Sequence, residues 1–212
     1  MLSFNPFTKD DIKEIEGTYV AIKDNFFIEP VKIVEYLKSK PPYSGWKVVN
    51  DIPPGLKNNN GIEFFDERHW LKGPQVEKIF SHLESFTGHK SLEGPIIKSN
   101  IFRMVGKEFN NYKDNFWFPH TDPGLTAIVF LNEKDGVTGT NLYDQVQKDP
   151  LDGISEHVSP WRSRKCFKLK CTIESKFNRA IIFDAHNILH SMAIFNDDFF
   201  EYDRITLAMF LK

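Results

Sequence analysis

The sequence predicts an α+β fold whose C-terminal half is a double-sheet jelly roll. Three observations carry this. The helical periodicities fall early, after Pro30 and after Pro74. From residue 96 the texture changes to short apolar strands separated by turn signals. The 212 residues include 20 Phe, 4 Trp and 6 Tyr, side chains that suit the pleated, half-buried surface of a sheet. Helices first and many strands afterwards give α+β, and a jelly roll buries such strands between two sheets. One domain over 1–212 is expected, helical and mixed over 1–95 and jelly-roll over 96–212, with the N-terminal helices packed on one sheet.

In chain order, residues 1–16 are polar and read as a surface arm or short helix. Residues 18–22 alternate enough for a strand. Glu29-Pro30 opens a helix, because proline fits the first helical position and Val31, Ile33, Val34 and Leu37 share one side. Pro41-Pro42 stops it. Residues 43–73 are mixed, with turns at 53–55 and 58–61 and apolar anchors at Phe64, Phe65, Trp70 and Leu71. A second helix starts at Gly73-Pro74, buries Val76, Ile79, Phe80 and Leu83, and ends at Gly88. A strand from about 97 to 105 and a polar, aromatic loop over 106–117 follow. Further strands are expected near 125–131, 140–143, 166–173, 179–184, 189–195 and 204–211. A Pro-, Gly- and charge-rich loop fills 144–164, and its core at 145–161 is long enough to be a lid or binding loop.

Charge and cysteine content narrow the function classes. Lys plus Arg is 27 against 29 Asp plus Glu, a net charge of −2, so no global field favours nucleic acid or an anionic membrane. The cluster Arg162, Arg164, Lys165, Lys168 and Lys170 reads as a solvated strand face and loop. Cys166 and Cys171 make no disulfide framework and have no zinc partner pair, which suits reduced thiols in a cytoplasmic protein. The start, Met1-Leu2-Ser3-Phe4, lacks a signal-peptide pattern, and no run of 18 apolar residues spans a membrane.

The chemistry gathers at Phe118-Pro119-His120-Thr121-Asp122. In an extended segment residues i and i+2 share a face, so an imidazole and a carboxylate converge. With one distant histidine they form a two-His-one-carboxylate set that suits non-haem Fe(II) and leaves positions open. Two histidines are available downstream, His186 and His190, after the apolar run 180–183. A His-x-x-x-His pair would face one way on a helix, but the preceding run is strand-like and no Glu follows His186. Arg204 opens the last strand, and Thr206 shares its face by period 2. Arginine presents a planar fork that matches a carboxylate bidentately.

The order His-x-Asp, then a histidine after an apolar strand, then an arginine opening the last strand resembles the Fe(II)/2-oxoglutarate-dependent dioxygenases, particularly their prolyl-hydroxylase-like branch. The likeness covers about 97–212, with a weaker echo at 22–37. It implies a double-stranded β-helix (cupin-like) core and places the metal ligands, and with them the catalytic centre, at His120, Asp122 and His190. His186 then falls in the turn. It assigns the far carboxylate of 2-oxoglutarate to Arg204, assisted by Thr206. The implied cofactors are Fe(II), the co-substrate 2-oxoglutarate and O2, with ascorbate as a supporting reductant. The implied reaction hydroxylates an unactivated C–H, of a prolyl residue in a peptide or protein, or alternatively of a free amino acid or other small molecule. A different function class stays open, a non-catalytic jelly-roll module that binds a metal or ligand.

Departures from the pattern inform further. Halogenating relatives leave the position of Asp122 small. Nucleic-acid demethylases carry a second arginine where this chain has Phe210, so no nucleic-acid partner is expected. Some prolyl hydroxylases place a tyrosine where Phe130 stands, so Arg204, Thr206 and Tyr112 or water must complete the carboxylate's bonding. Gly139-Thr140-Asn141-Leu142-Tyr143 matches a strand facing the metal in relatives, or is a plain hairpin strand. Trp117 and Phe118 line the substrate entrance or belong to the core.

Overall fold

A computed structural model describes residues 2–39, 63–105, 112–154, 156 and 159–212. The expected stop at Pro41-Pro42, the turns at 53–55 and 58–61, the side chains of Phe64 and Phe65 and the stretch 106–111 lie outside the described residues. Among those described, two α-helices precede most of the strands: α1 (Pro30–Lys38) and α2 (Pro74–Thr87). The strands are β1 (Ile12–Ile15), β2 (Thr18–Lys23), β3 (Glu63–Leu71), β4 (Ile97–Val105), β5 (Asn115–Trp117) and β6 (Leu125–Phe130). They continue with β7 (Thr138–Gln145), β8 (Trp161–Ser163), β9 (Phe167–Glu174), β10 (Arg179–Asp184), β11 (Leu189–Ile194) and β12 (Arg204–Leu211).

Seven strands form one sheet in the order β1-β2-β10-β6-β12-β4-β3, and facing it lie a three-stranded sheet β11-β7-β9 and the pair β5-β8. Every named pairing is antiparallel. This is a jelly-roll arrangement with helices on one face of the larger sheet. Period 2 explains the layering. Ala127 and Val129 on β6, and Leu131 just after it, join Ala180, Ile182, Ile205, Leu207, Met209 and Leu211 in a core that also holds Ile33 and Leu37 of α1 and Val76, Ile79, Phe80 and Leu83 of α2. The alternate residues Ile128 and Phe130 face the other way, packing with Val20, Leu142, Ile173, Ile181 and Phe183 between the sheets. Each fully buried Leu, Ile or Phe contributes roughly 1.5–3 kcal/mol, and a one-residue slip of β6 would exchange its two side-chain sets between cores of different shape.

Local signals explain the helix ends. Pro30 and Pro74 occupy first-turn positions, and Gly88 closes α2 at φ 76° with its N–H donating to Glu84 O. The N-terminal segment is fastened by Asn178. Its carboxamide accepts from Phe27 N and donates to Phe27 O, both at 2.8 Å, beside an ion pair of Asp24 with Arg179 at 2.6 Å.

Four expectations need correction. Residues 1–16 hold a 3-10 turn at Lys9–Asp11 and the edge strand β1. The mixed region 43–73 contains the nine-residue β3 on the opposite edge. Asp66, Glu67 and Arg68 interrupt its apolar alternation, as charges often do at sheet edges. Trp70 is no anchor, being 62% exposed. The loops expected over 106–117 and 144–164 each contribute a three-residue strand, β5 and β8, too short to show a period. Cys166 and Cys171 are free thiols, and no helix among the described residues is long and apolar enough to cross a membrane.

Candidate metal and co-substrate site

His120 and His190 are locked to each other by backbone. His120 N donates to His190 O at 3.0 Å and His190 N returns the bond to His120 O at 2.9 Å. The bridge ties the segment after β5 to β11, and the two rings lie with centroids 4.5 Å apart. Asp122 enters from the same segment, its N–H donating to Ala185 O at 2.9 Å. Gly124 follows at φ 80°, where an added Cβ would lie 1.9 Å from the carbonyl oxygen of Leu211. The turn into β6 can therefore sit this close to β12 only with glycine.

The three side chains converge. One ligand atom of each lies within 4.8 Å of the others. Asp122 Oδ2 is 3.3 Å from His190 Nε2 and 3.9 Å from His120 Nε2. Each imidazole has its Nδ1 against a backbone carbonyl, Phe118 O at 2.8 Å and Ile188 O at 3.2 Å. A carbonyl only accepts, so Nδ1 carries the proton and the Nε2 lone pair is left free to ligate an ion placed between it and Asp122. This is the usual outer-shell orientation of metal-binding histidines. Electrostatics agree. Burial, and then the neighbouring His190, push the His120 pKa below its ordinary value, which favours the neutral ligand. Burial alone would raise Asp122, but the adjacent His190 and His120 imidazoles and the Thr126 hydroxyl outweigh it and hold the carboxyl below the ordinary range. Two neutral imidazole nitrogens and one carboxylate oxygen fit a divalent transition ion.

His186 is exposed in the turn between β10 and β11, where Asp184 accepts from the N–H groups of His186 and Asn187 at 3.1 Å. That turn carries the chain past His186 and lets His190, 4% exposed, point inward.

The same residues line a cavity of 200 Å³ between the sheets. Its wall on the larger sheet includes Arg204, Thr206, Ala208 and Thr126, and the facing wall includes His190, Met192 and Thr140. Arg204 Nη1 donates to Thr206 Oγ1 at 3.3 Å, as expected for residues two apart on β12. The cavity thus has a metal-ligating end and a cationic, hydroxyl-bearing wall.

Tyr112 does not reach this cavity. Its hydroxyl donates to Asp197 at 3.1 Å, so it completes no bonding beside Arg204. Thr140 is the better hydroxyl. It is 1% exposed, lines the cavity beside its cross-strand neighbour Met192 on β11, and among the described residues its Oγ1 has no hydrogen-bond partner. Period 2 along β7 would have identified it, since Thr140 shares a face with buried Leu142. Gly139 on the same strand has a backbone reason, because a Cβ there would sit 2.4 Å from Ile173 O of β9.

Arg162 overturns the reading of the basic cluster as wholly solvated. It is 2% exposed, pairs with Asp149 at 2.9 Å, and donates to the carbonyls of Ser159, Trp161 and Ile154. Its guanidinium lies 4.9 Å from the Phe118 ring centroid. Phe118 has φ 30°, uncommon for a bulky residue, and is held by its N–H bond to Pro160 O at 2.7 Å. Arg162 therefore gathers the 145–161 loop and braces the residue whose carbonyl orients His120. Trp117 packs edge-on against Phe102 and Trp161, so it is both core and cavity wall.

No family model matches the chain, and no curated protein matches it. Among solved structures it is similar to a prolyl-4-hydroxylase of Pseudomonas putida, at 10% identity over 91% of each chain with a TM-score of 0.41. It is also similar to the Fe(II)/α-ketoglutarate-dependent dioxygenase TqaL, at 11% identity over 91% of this chain and 82% of that one, with a TM-score of 0.37. A bsmA homolog from Methylobium petroleophilum PM1 matches at 10% identity over 88% and 82%, with a TM-score of 0.41. These likenesses assign no activity, metal or substrate, which rest on the residues of the site.

Proposed function

We propose that the chain is an Fe(II)- and 2-oxoglutarate-dependent oxygenase that hydroxylates an unactivated C–H bond and releases succinate and CO2. The observation that carries this is the convergence of His120, Asp122 and His190 to within 4.8 Å in a cavity also lined by Arg204 and Thr206. A simple structural cluster would not need a half-buried guanidinium and a buried hydroxyl in the same small space.

His120, Asp122 and His190 would hold the ion. Bound there, Fe(II) with 2-oxoglutarate supplies the oxidation of the C–H bond. The protein's own part is placement. Arg204 takes the far carboxylate of 2-oxoglutarate as a charge-assisted, geometrically matched partner, and Thr206 orients the guanidinium. Phe118 O and Ile188 O keep both imidazoles in the ligating tautomer. Phe102, Trp117 and Met192 give the cavity an apolar side that excludes water from the reacting centre. The substrate read from the sequence resemblance is a prolyl residue in a peptide or protein, with a free amino acid or other small molecule as the alternative.

The test is succinate formation from 2-oxoglutarate by the purified protein with Fe(II), O2 and ascorbate, without added substrate. Wild type should form succinate slowly, and His120→Ala and Asp122→Ala should form none. Normal turnover by either variant would remove the metal assignment, and a silent wild type would favour a non-catalytic binding module.

A further inference from the structure

The cavity holds one charged group with no task in the reaction just described. Glu156, on the 145–161 loop, lines it together with Phe102, Trp117 and Met192. One carboxylate oxygen accepts from Trp117 Nε1 at 2.6 Å, which fixes the group against the wall. Among the described residues no cation pairs with it. Its charge is felt at His120 and at Arg162, but Arg162 is already engaged by Asp149.

Charge balance then points outward. A divalent ion and Arg204 together offset Asp122 and a dianionic keto acid. Among the described residues Glu156 is then left without a cation, a negative charge at a half-buried position beside apolar surface, where such a charge calls for a partner. Building on the oxygenase reading, we infer that Glu156 is a specificity-determining residue that binds a cationic nitrogen of the substrate. The substrate's apolar body packs on Phe102, Trp117 and Met192. The class is an amine or amino acid with a free ammonium group, or a peptide that brings a basic side chain next to the oxidised carbon. Both present the same chemistry to Glu156. Trp117 is part of the same device, because its indole N–H is the donor that holds the carboxylate facing the cavity.

The experiment is calorimetric binding to protein loaded with Mn(II) and 2-oxoglutarate, which needs no turnover. The probes are L-leucinamide and L-prolinamide against their N-acetyl counterparts, which have lost the ammonium. The peptide arm is an end-capped proline-containing hexapeptide with lysine, against the same peptide with norleucine. Wild type should prefer the charged member of at least one pair by about tenfold or more, the worth of a hydrogen bond to a charged group. Glu156→Gln keeps an acceptor for the Trp117 bond and should erase that preference, leaving the neutral member's affinity within about twofold. Glu156→Lys should reverse it. The pair that responds identifies the source, small amine or basic peptide. Equal binding of charged and neutral members in every pair, or a preference unchanged in Glu156→Gln, overturns the inference. Succinate formation by wild type alone reports separately on the oxygenase reading, so either can fail while the other stands.

Discussion

The two faces of the seven-stranded sheet do different work with the same strands. On the helix side the core residues of β6, β10 and β12 are apolar, from Ala127 and Val129 to Leu207 and Met209. On the other side β12 alternates into Arg204, Thr206, Ala208 and Phe210, and the space against the smaller sheet divides. Near β10 it is filled by Ile128, Phe130, Ile181 and Phe183. Near β4 it opens into the 200 Å³ cavity. The difference teaches how a polar site is placed with precision. The saturated apolar face fixes the register, and the register then delivers Arg204 and Thr206 to the opposite face without any need for them to stabilise the sheet.

The strongest way to break this comparison is to injure each side in turn. On the site side, Arg162→Met should cost about 3–5 kcal/mol, because it strands the buried Asp149 carboxylate. On the helix side, Leu207→Ala should cost about 2–5 kcal/mol by opening a core cavity. Urea denaturation measures both. Metal affinity separates them, since Arg162→Met also removes the brace on Phe118 whereas Leu207→Ala touches nothing in the site. Equal loss of metal affinity in both variants would mean that the two faces are not independent.

A smaller effect has the opposite sign. Among the described residues nothing bonds the buried Thr140 Oγ1, so Thr140→Val should stabilise the ligand-free protein by about 1 kcal/mol, the desolvation cost of an unmet hydroxyl. The same variant should bind 2-oxoglutarate or substrate more weakly if a ligand uses that hydroxyl. Destabilisation in the melt would show that the hydroxyl is already satisfied.

The smallest concerns the N-terminal fastening, away from both faces. Hydrogen bonding and charge from Arg179, with help from Lys176, hold the Asp24 carboxyl at about 2, below its ordinary 3.8. A lowered folded-state value means the contribution is present above the unfolded value and is lost as pH falls from about 4 towards about 2. Asp24 is 34% exposed and the pair is screened, so Asp24→Asn should cost about 1 kcal/mol or less at pH 7. That difference should vanish near pH 2. Denaturation of both proteins across this range is the check, and a difference that persists at the acid end would assign the effect to packing.

How legible all this was in the sequence depends on the range of the cause. Helix α2 carries its own start, stripe and stop, and β10 and β12 carry their own alternation, so local pattern suffices. The order of His120, Asp122, His190 and Arg204 is likewise a property of the chain read along its length. What stayed hidden depends on partners far away or on pairing. Arg162 looks like its exposed neighbours Arg164 and Lys165 until Asp149 is folded against it. β3 is a strand because β4 pairs with it, not because its own residues alternate. Glu156 reads as one more charge in a polar loop, and only Trp117 turns it towards the cavity. Tyr112, named beside Arg204 to make up for the tyrosine that Phe130 replaces, is diverted to Asp197.

The most direct test of the central claim, that the triad and Arg204 form one site, is calorimetric titration of 2-oxoglutarate with and without Mn(II). Wild type should bind the keto acid tightly only when the ion is present. Arg204→Met should keep its affinity for the ion while losing about 10- to 100-fold in 2-oxoglutarate affinity, the worth of a charge-assisted contact. His190→Ala should lose both. Ion-independent binding of 2-oxoglutarate, or an affinity unchanged in Arg204→Met, would contradict the account.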